Sequence, residues 1–405
     1  MLKNQVLQLQ KDTRLLLVIN GLFTIAVGLS NTFVNVFIWR IKKDLGAIGL
    51  FNLFIYIFLP LTFILAGYIS KKRDGVFSLR LGIIFHTLFF LIILVAREES
   101  VGFLVPLGSL LGIAGGFYWL GFHLLSFDLT NEMNRDTFNS YNGLLGSLGG
   151  MTAPLIAGFV IVRMMGLSGY YLIFGITLLL FLLIVLISSL LHTRNYQGTF
   201  QLYKVIKESS SNWQYLIIGF FFFGIRNGVF MFIINLITYI ISESELTVGT
   251  ITLLGGIVAM LSYQLIERVM KPDKRILFIR LGTTMMFIAV LSLLGPINLI
   301  NMIVFVSLVS FFYPFFIVPF NSAGYNLIDQ NKQTKQRIEL IIYRELALNL
   351  GRVIGIIAFI LTVNNSKEID HLKTFLLILG SSPLLIPFLL RGINRNTDVL
   401  SGNLE

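Results

Sequence analysis

"GLLGSLGGMTA" occupies residues 143 to 153 and "ELALNLGRVIG" occupies residues 345 to 355. Laid over each other at an offset of 202, they match Leu144 to Leu346, Leu148 to Leu350, Gly149 to Gly351 and Ala153 to Gly355. A second pair, "SLRLG" at 78–82 and "FIRLG" at 278–282, matches at an offset of 200. Leucine and glycine are common in this chain, so each echo alone carries little. Two echoes at nearly equal offsets, in corresponding apolar segments, point to a duplicated chain.

The composition says what is duplicated. The chain has 405 residues, of which 56% are hydrophobic and 13% charged, with a mean hydropathy of +0.83. Soluble domains carry roughly 25% charged residues. So apolar a chain cannot cover its surface with polar groups, and its solvent is lipid. The absence of cysteine excludes disulfides, thiolate metal sites and cysteine nucleophiles. Four scattered histidines argue against a metal centre, and no cofactor is expected. A net charge of +11 raises the question of nucleic acid. The basic residues lie in short loops between apolar runs rather than in one patch, so no nucleic-acid partner is expected.

Twelve apolar segments are read at about 15–39, 47–70, 77–96, 101–125, 143–163, 169–191, 214–241, 247–266, 276–296, 298–320, 338–363 and 374–390. A helix needs about 20 residues to cross the hydrocarbon core, so most suffice, while the third and twelfth lean on flanking residues. The first is too long for a cleavable signal and is followed by no small-x-small cleavage site. With the N-terminus inside, 21 of the 31 Lys and Arg fall in inside segments and 7 in outside ones. The remaining three, Arg226, Arg344 and Arg352, lie within spans. This bias predicts both termini in the cytoplasm and an even number of crossings. The polar stretch "HTRNYQGTFQLYKVIKESSSN", 192–212, divides six spans from six. The expected organisation is an N-terminal six-helix bundle over 1–191, a cytoplasmic central loop over 192–212 and a C-terminal six-helix bundle over 213–405.

Twelve spans, cytoplasmic termini, a parallel six-plus-six repeat and a polar central loop resemble the major facilitator superfamily, over most of the chain. The family's fifth-span motif, a glycine-rich run ending in Gly-Pro-x-x-Gly-Gly, resembles "GMTAPLIAG", 150–158, with Gly150, Pro154 and Gly158 in place. Ala153 and Ala157 replace two glycines and keep the face small. Plain close helix packing would use the same residues. In the family this motif is commonest among antiporters, which implies export. The family's motif between the second and third spans resembles "GYISKKRD", 67–74. Gly67, Ser70 and Lys72 fit, while Lys71 replaces the aspartate and Asp74 the second glycine. Asp74 or Asp128 could take the missing acid's place in gating. The stretch "GFYWLGFHLLSFDLTNEMNRD", 116–136, is similar to a group of uncharacterised Gram-positive members. That implies a multi-pass protein of a bacterial cell membrane, expected to act as a monomer.

The resemblance implies that the first and seventh spans line a central cavity. Span 1 carries Thr24, Gly28, Asn31 and Asn35 at i, i+4, i+7 and i+11, a single helical stripe. Span 7 carries Gly224, Asn227, Met231 and Thr238, with Asn235 one step aside. At an offset of 196, Gly28 falls on Gly224 and Asn31 on Asn227. These stripes read either as a polar seam lining a cavity or as interhelical hydrogen bonding, worth about 0.6–2 kcal/mol per bond. Arg226 and Arg352 are expected near mid-span, where an arginine costs at least ~2.5 kcal/mol and faces protein or water. Glu345, Asn349 and Arg352 share one face of span 11, at i, i+4 and i+7. Seven residues of helix separate Glu345 from Arg352 by roughly 10 Å, so each needs a further partner. Arg344, about a quarter-turn away and nearer the inside surface, is read either as a partner for Glu345 within this network or as reaching outward to the membrane surface. The set reads either as substrate-binding and coupling groups or as a structural ion-pair network. His86 and His123 read as packed core histidines. Pro314 and Pro319 are expected to interrupt span 10, as a hinge for gating or as a static kink.

The expected fold is thus an all-α integral membrane protein, with twelve transmembrane helices in two pseudo-symmetric six-helix bundles. The expected function is secondary active transport of a small organic solute by alternating access, coupled to protons and directed outward. Uptake or exchange of an organic anion or organophosphate is the alternative, supported by Arg226 and Arg352. A membrane sensor or structural protein without transport is the alternative of another class. A membrane enzyme is not expected, because 192–212 is the longest polar stretch between spans and holds little beyond His192 and Glu208.

Overall fold

A computed structural model describes residues 9–131, 134–192, 199–271, 274–330, 336–365 and 369–394. Lys3, Arg194, Lys332, Lys335, Lys367 and Arg395, which enter the charge tally above, and residues 193–198 of the central loop lie outside the described residues. Every regular element among the described residues is helical. The spanning helices are α1 Lys11–Lys42, α2 Leu45–Lys72, α3 Gly75–Ala96, α4 Leu104–Asp128, α5 Arg135–Val162 and α6 Ser168–Ser188. They continue as α7 Ser211–Ser242, α8 Glu245–Val269, α9 Arg275–Leu291, α10 Leu299–Gln330 and α11 Arg337–Asn365. The last span is split into α12 Ile369–Ser381 and α13 Ile386–Asn394 by a short 3-10 turn at Ser382–Leu385. A six-residue helical turn, Leu202–Lys207, lies in the central loop. In lipid the backbone must satisfy its own polar groups, and an all-helical chain does so within each segment.

Eleven of these stretches are long and apolar enough to cross a membrane. The twelfth, α9, has 17 residues and ends at Leu291, earlier than the sequence predicts. Gly295 and Pro296 stop it, since a proline disfavours helical geometry in the residue before it. The backbone tightens beyond Leu291, with Leu294 N–H donating to the Leu291 carbonyl at 3.1 Å. Span 10 forms one helix, α10, that contains both Pro314 and Pro319. Each proline deletes one backbone donor. Pro314 frees the carbonyl of Ser310 and Pro319 that of Phe315, while Ser262 of α8 donates to the neighbouring Phe311 carbonyl.

Residues Met1–Phe200 with Ser244–Leu253 form one compact unit, and Gln201–Glu243 with Leu254–Glu405 form another. In the first, α1 packs on α5 and α6, α2 on α4, and α3 on α4 and α6. In the second, α7 packs on α11, α10 and α13, and α9 packs on α10 and α12. The corners repeat as well. Lys43 ends α1 at φ 52° with its N–H on the Trp39 carbonyl, and Glu243 ends α7 at φ 50° with its N–H on the Tyr239 carbonyl. Neither is glycine, so each accepts a left-handed backbone costing about 1–2 kcal/mol to make the same sharp turn at the same offset of 200.

Candidate functional site

Glycine sets how closely the spans approach. A Cβ on Gly28 of α1 would lie 2.9 Å from the Gly149 carbonyl oxygen and 3.0 Å from Ala153 Cβ, both on α5. In the second unit, a Cβ on Gly228 of α7 would lie 2.7 Å from Arg352 Cα on α11. Gly224 meets the Leu348 carbonyl in the same way, and Gly351 meets that of Phe221. Backbones this close let short side chains bond across the seam. Gly82 and Gly282, the last residues of the shorter echo, likewise sit on Tyr118 of α4 and Phe316 of α10.

On the α7–α11 seam the polar side chains form one chain of contacts. Arg352 Nε donates to Asn227 Oδ1 at 2.9 Å, and Arg352 Nη1 donates to Asn349 Oδ1 at 3.0 Å. Asn349 is fully buried and donates to the Glu345 backbone carbonyl at 2.7 Å and to its Oε2 at 3.5 Å. Glu345 Oε1 pairs with Arg344 Nη2 at 2.9 Å. Asn349 thus bonds to both Glu345 and Arg352. Of the two expectations for Arg344, the structure has the partner of Glu345. Its side chain is only 15% exposed, and it turns to Glu345 and the Phe220 ring rather than outward. A carboxylate one residue away and an aromatic face hold it in.

Arg226 sits beside this chain. It is 4% exposed, and its guanidinium lies over the Phe230 ring at 4.5 Å. Its Nε and Nη2 have no hydrogen-bond partner among the described residues. Tyr313 of α10 packs against Phe223 of α7, with ring centroids 6.3 Å apart. Asn235 is half-buried more than two turns further along α7. Thr238 is fully buried and bonded to its own helix at the Ile234 carbonyl.

The first unit answers with neutral groups. Thr24 donates to the Asn20 carbonyl, and its methyl faces the Gly149 position. Asn35 accepts from Asn52 of α2 at 2.8 Å, while Asn31 is exposed. The sequence reading missed Asn20, which is buried and central to a triad. Asn20 Nδ2 donates to Asn142 Oδ1 at 2.7 Å and Tyr118 donates to Asn20 Oδ1 at 2.8 Å. Asn20 lies one turn before Thr24 on the same stripe, and extending the stripe by i−4 would have found it.

The gating residues fall at two places in this unit. In "GMTAPLIAG", Gly150 has open space around it, while Pro154 lies against Gly249 and Gly158 against the Glu245 carbonyl, both in the first turns of α8. Glu245 is itself buried, taking Tyr170 hydroxyl at 2.6 Å and Arg40 Nη1 at 3.2 Å. This cluster also escaped the sequence reading, because its three residues come from helix ends far apart in the chain. In "GYISKKRD", Asp74 caps α3, its Oδ1 accepting from Phe77 N–H at 2.8 Å. Lys72 turns back to the Tyr68 hydroxyl of its own helix, and Lys71 reaches the Thr199 carbonyl at 3.2 Å. Asp128 is half-buried at the end of α4. His86 is a core histidine, stacked on Phe181 and bonded to the Gly82 carbonyl at 2.8 Å.

A model of the Major Facilitator Superfamily matches residues 21–361. The uncharacterized protein YqgE of Bacillus subtilis (strain 168) is 38% identical over 386 residues, covering 95% of this chain and 90% of that protein. An uncharacterized protein in the sodM 3' region of Geobacillus stearothermophilus is 41% identical over 167 residues, covering 41% of this chain and 78% of its own length.

Proposed function

The chain belongs to the Major Facilitator Superfamily and is a multi-pass membrane transporter, and from that premise we propose that it is a secondary active carrier that exports a small organic solute in exchange for protons. Two six-helix halves, 1–191 and 213–405, rock about the solute, with the central loop and both termini in the cytoplasm. The observation that carries the reading is the chain of part-buried contacts from Asn227 through Arg352 and the buried Asn349 to Glu345 and Arg344. Charges at this depth are costly and are kept where they bind or couple. Glu345 is the proton carrier in this reading. Its carboxylate shares Asn349 with Arg352, so protonation alters the bonds that orient Arg352. The close packing of Gly158 and Pro154 supports a small-residue gate on α5.

Proteoliposomes test it. Movement of radiolabelled benzoate, succinate or tetraphenylphosphonium is followed after a pH jump. The wild-type chain is expected to drive at least one probe against its gradient, and Glu345→Gln to abolish that drive while downhill exchange persists. A Glu345→Gln protein that is fully stable and fully coupled removes Glu345 from the mechanism. A wild-type chain that moves no probe in either direction favours a sensor or structural role instead.

A further inference from the structure

Arg226 carries more than the coupling scheme asks of it. It occupies the middle of α7, is 4% exposed, and keeps Nε and Nη2 without a hydrogen-bond partner among the described residues. The Phe230 face at 4.5 Å offers some attraction to the cation but accepts no hydrogen bond. Arginine stays charged in proteins and presents a rigid fork of donors that fits carboxylate or phosphate oxygens two at a time. A buried donor left unmade is costly, and a buried cation more so. The surroundings match an acceptor with oxygens of its own. Asn227, the next residue, orients Arg352 by its Oδ1 and so brings a second guanidinium to the same seam. The corresponding position in the first half, at the offset of 196, is Ser30, whose hydroxyl is satisfied by the Ala26 carbonyl at 2.8 Å. The repeat therefore does not require a charge here.

We propose that the carried solute is an organic anion, and that Arg226 binds its carboxylate or phosphate oxygens, with Arg352 completing the contact. This rests on the transport reading above and narrows it from any small solute to an anionic one. The role of Arg226 is ligand binding, and Asn227 positions Arg352 for it.

Thermal melting of the full chain in detergent tests the site at constant ionic strength. The probes are inorganic phosphate, benzoate and succinate, with tetraphenylphosphonium as the cationic counterpart. The expected result is a saturable rise in Tm with at least one of the three anions and none with the cation. Arg226→Lys keeps the charge but loses the fork, and is expected to weaken the best anion about 10- to 100-fold. Arg226→Gln is expected to abolish the anion response while leaving the ligand-free Tm equal to or above wild type, because it removes a buried charge. A merely structural arginine would behave otherwise: Arg226→Gln would lower the ligand-free Tm, and Arg226→Lys would leave any anion response unchanged. Either of those results overturns the proposal, as does stabilisation by the cation alone or by none of the probes. If Arg226→Gln does not fold, the Arg226→Lys titration decides. The transport reading fails separately. Anion binding that depends on Arg226, without movement of the bound anion in proteoliposomes, keeps the anion site and removes the carrier. Movement of tetraphenylphosphonium, unaffected by Arg226→Lys, keeps the carrier and removes the anion site.

Discussion

The α1–α5 seam of the first unit and the α7–α11 seam of the second are closed by glycines at matching offsets, yet they hold different chemistry. Gly28 rests on Gly149, and Gly224 rests on Leu348 and Arg352. At the offset of 202, Glu345 and Arg352 stand where α5 has Gly143 and Gly150, and both of those glycines have open space around them. Arg344 stands where α5 has Asn142, which bonds to Asn20. The first seam thus keeps its polar groups neutral and pairs them with one another. The second replaces two glycines by charged side chains and threads them through Asn349. A duplicated scaffold has kept its backbone contacts and lost the symmetry of its charges. What differs between the halves is therefore a better guide to chemistry than what they share.

The comparison breaks first if its glycines are not needed. Gly351→Leu puts a side chain into the Phe221 carbonyl and the Ile225 amide, with no flexible group to yield. A loss of about 3 kcal/mol or more is expected, read as loss of the monodisperse peak in size-exclusion chromatography. A folded Gly351→Leu protein with an unchanged Tm would show that the seam is looser than described.

The next largest effect concerns the charged seam. Asn227→Ala removes the Oδ1 that holds Arg352 Nε at 2.9 Å, and a cost of about 2 kcal/mol is expected, as for hydrogen bonds to charged groups. Asn20→Ala, in the neutral seam, breaks bonds to Asn142 and Tyr118 and is expected to cost about 1 kcal/mol. Melting curves of the two variants side by side check the order. If Asn20→Ala costs more, the neutral triad is the stronger element and the contrast between seams inverts.

The seams explain how much was legible in the sequence. The spans were legible because lipid demands about 20 apolar residues per crossing, whatever the packing. The alignment of Gly149 with Gly351 was legible because glycines recur where helices approach closely. The side-chain partners were less so. The seven-residue spacing of Glu345 and Arg352 told that each needs a further partner, but not that Asn349 would join them. The triad of Asn20, Asn142 and Tyr118 comes from three helices, and no local pattern connects it. The same holds for Arg40, Tyr170 and Glu245, which lie at helix ends where charge looks ordinary. Pro314 and Pro319 were legible as two missing donors, and α10 runs on through both as one helix. Whether a helix bends at such a gap is set by what packs around it, which the local sequence does not carry.

The smallest expected effect is also the sharpest test of the contrast, because it compares adjacent glycines. Gly149 lies in the seam, and a Cβ there would meet Thr24 Cγ2 at 3.2 Å and the Ile25 backbone nitrogen at 3.3 Å. Gly150 has nothing within 4 Å. Both lie inside α5, so alanine gains about 0.8–1 kcal/mol of helix propensity at either site. At Gly150 that gain is unopposed, and Gly150→Ala is expected to raise Tm by a few degrees. At Gly149 the backbone of Ile25 cannot yield as a side-chain tip would, and the gain is offset by displacement of α1. Gly149→Ala is therefore expected to melt at or below wild type. The two variants differ only in which face of one helix receives a methyl group, so propensity cancels in their difference. Equal Tm values would mean that the seam tolerates a Cβ, and that glycine at 149 is not what brings α1 and α5 together.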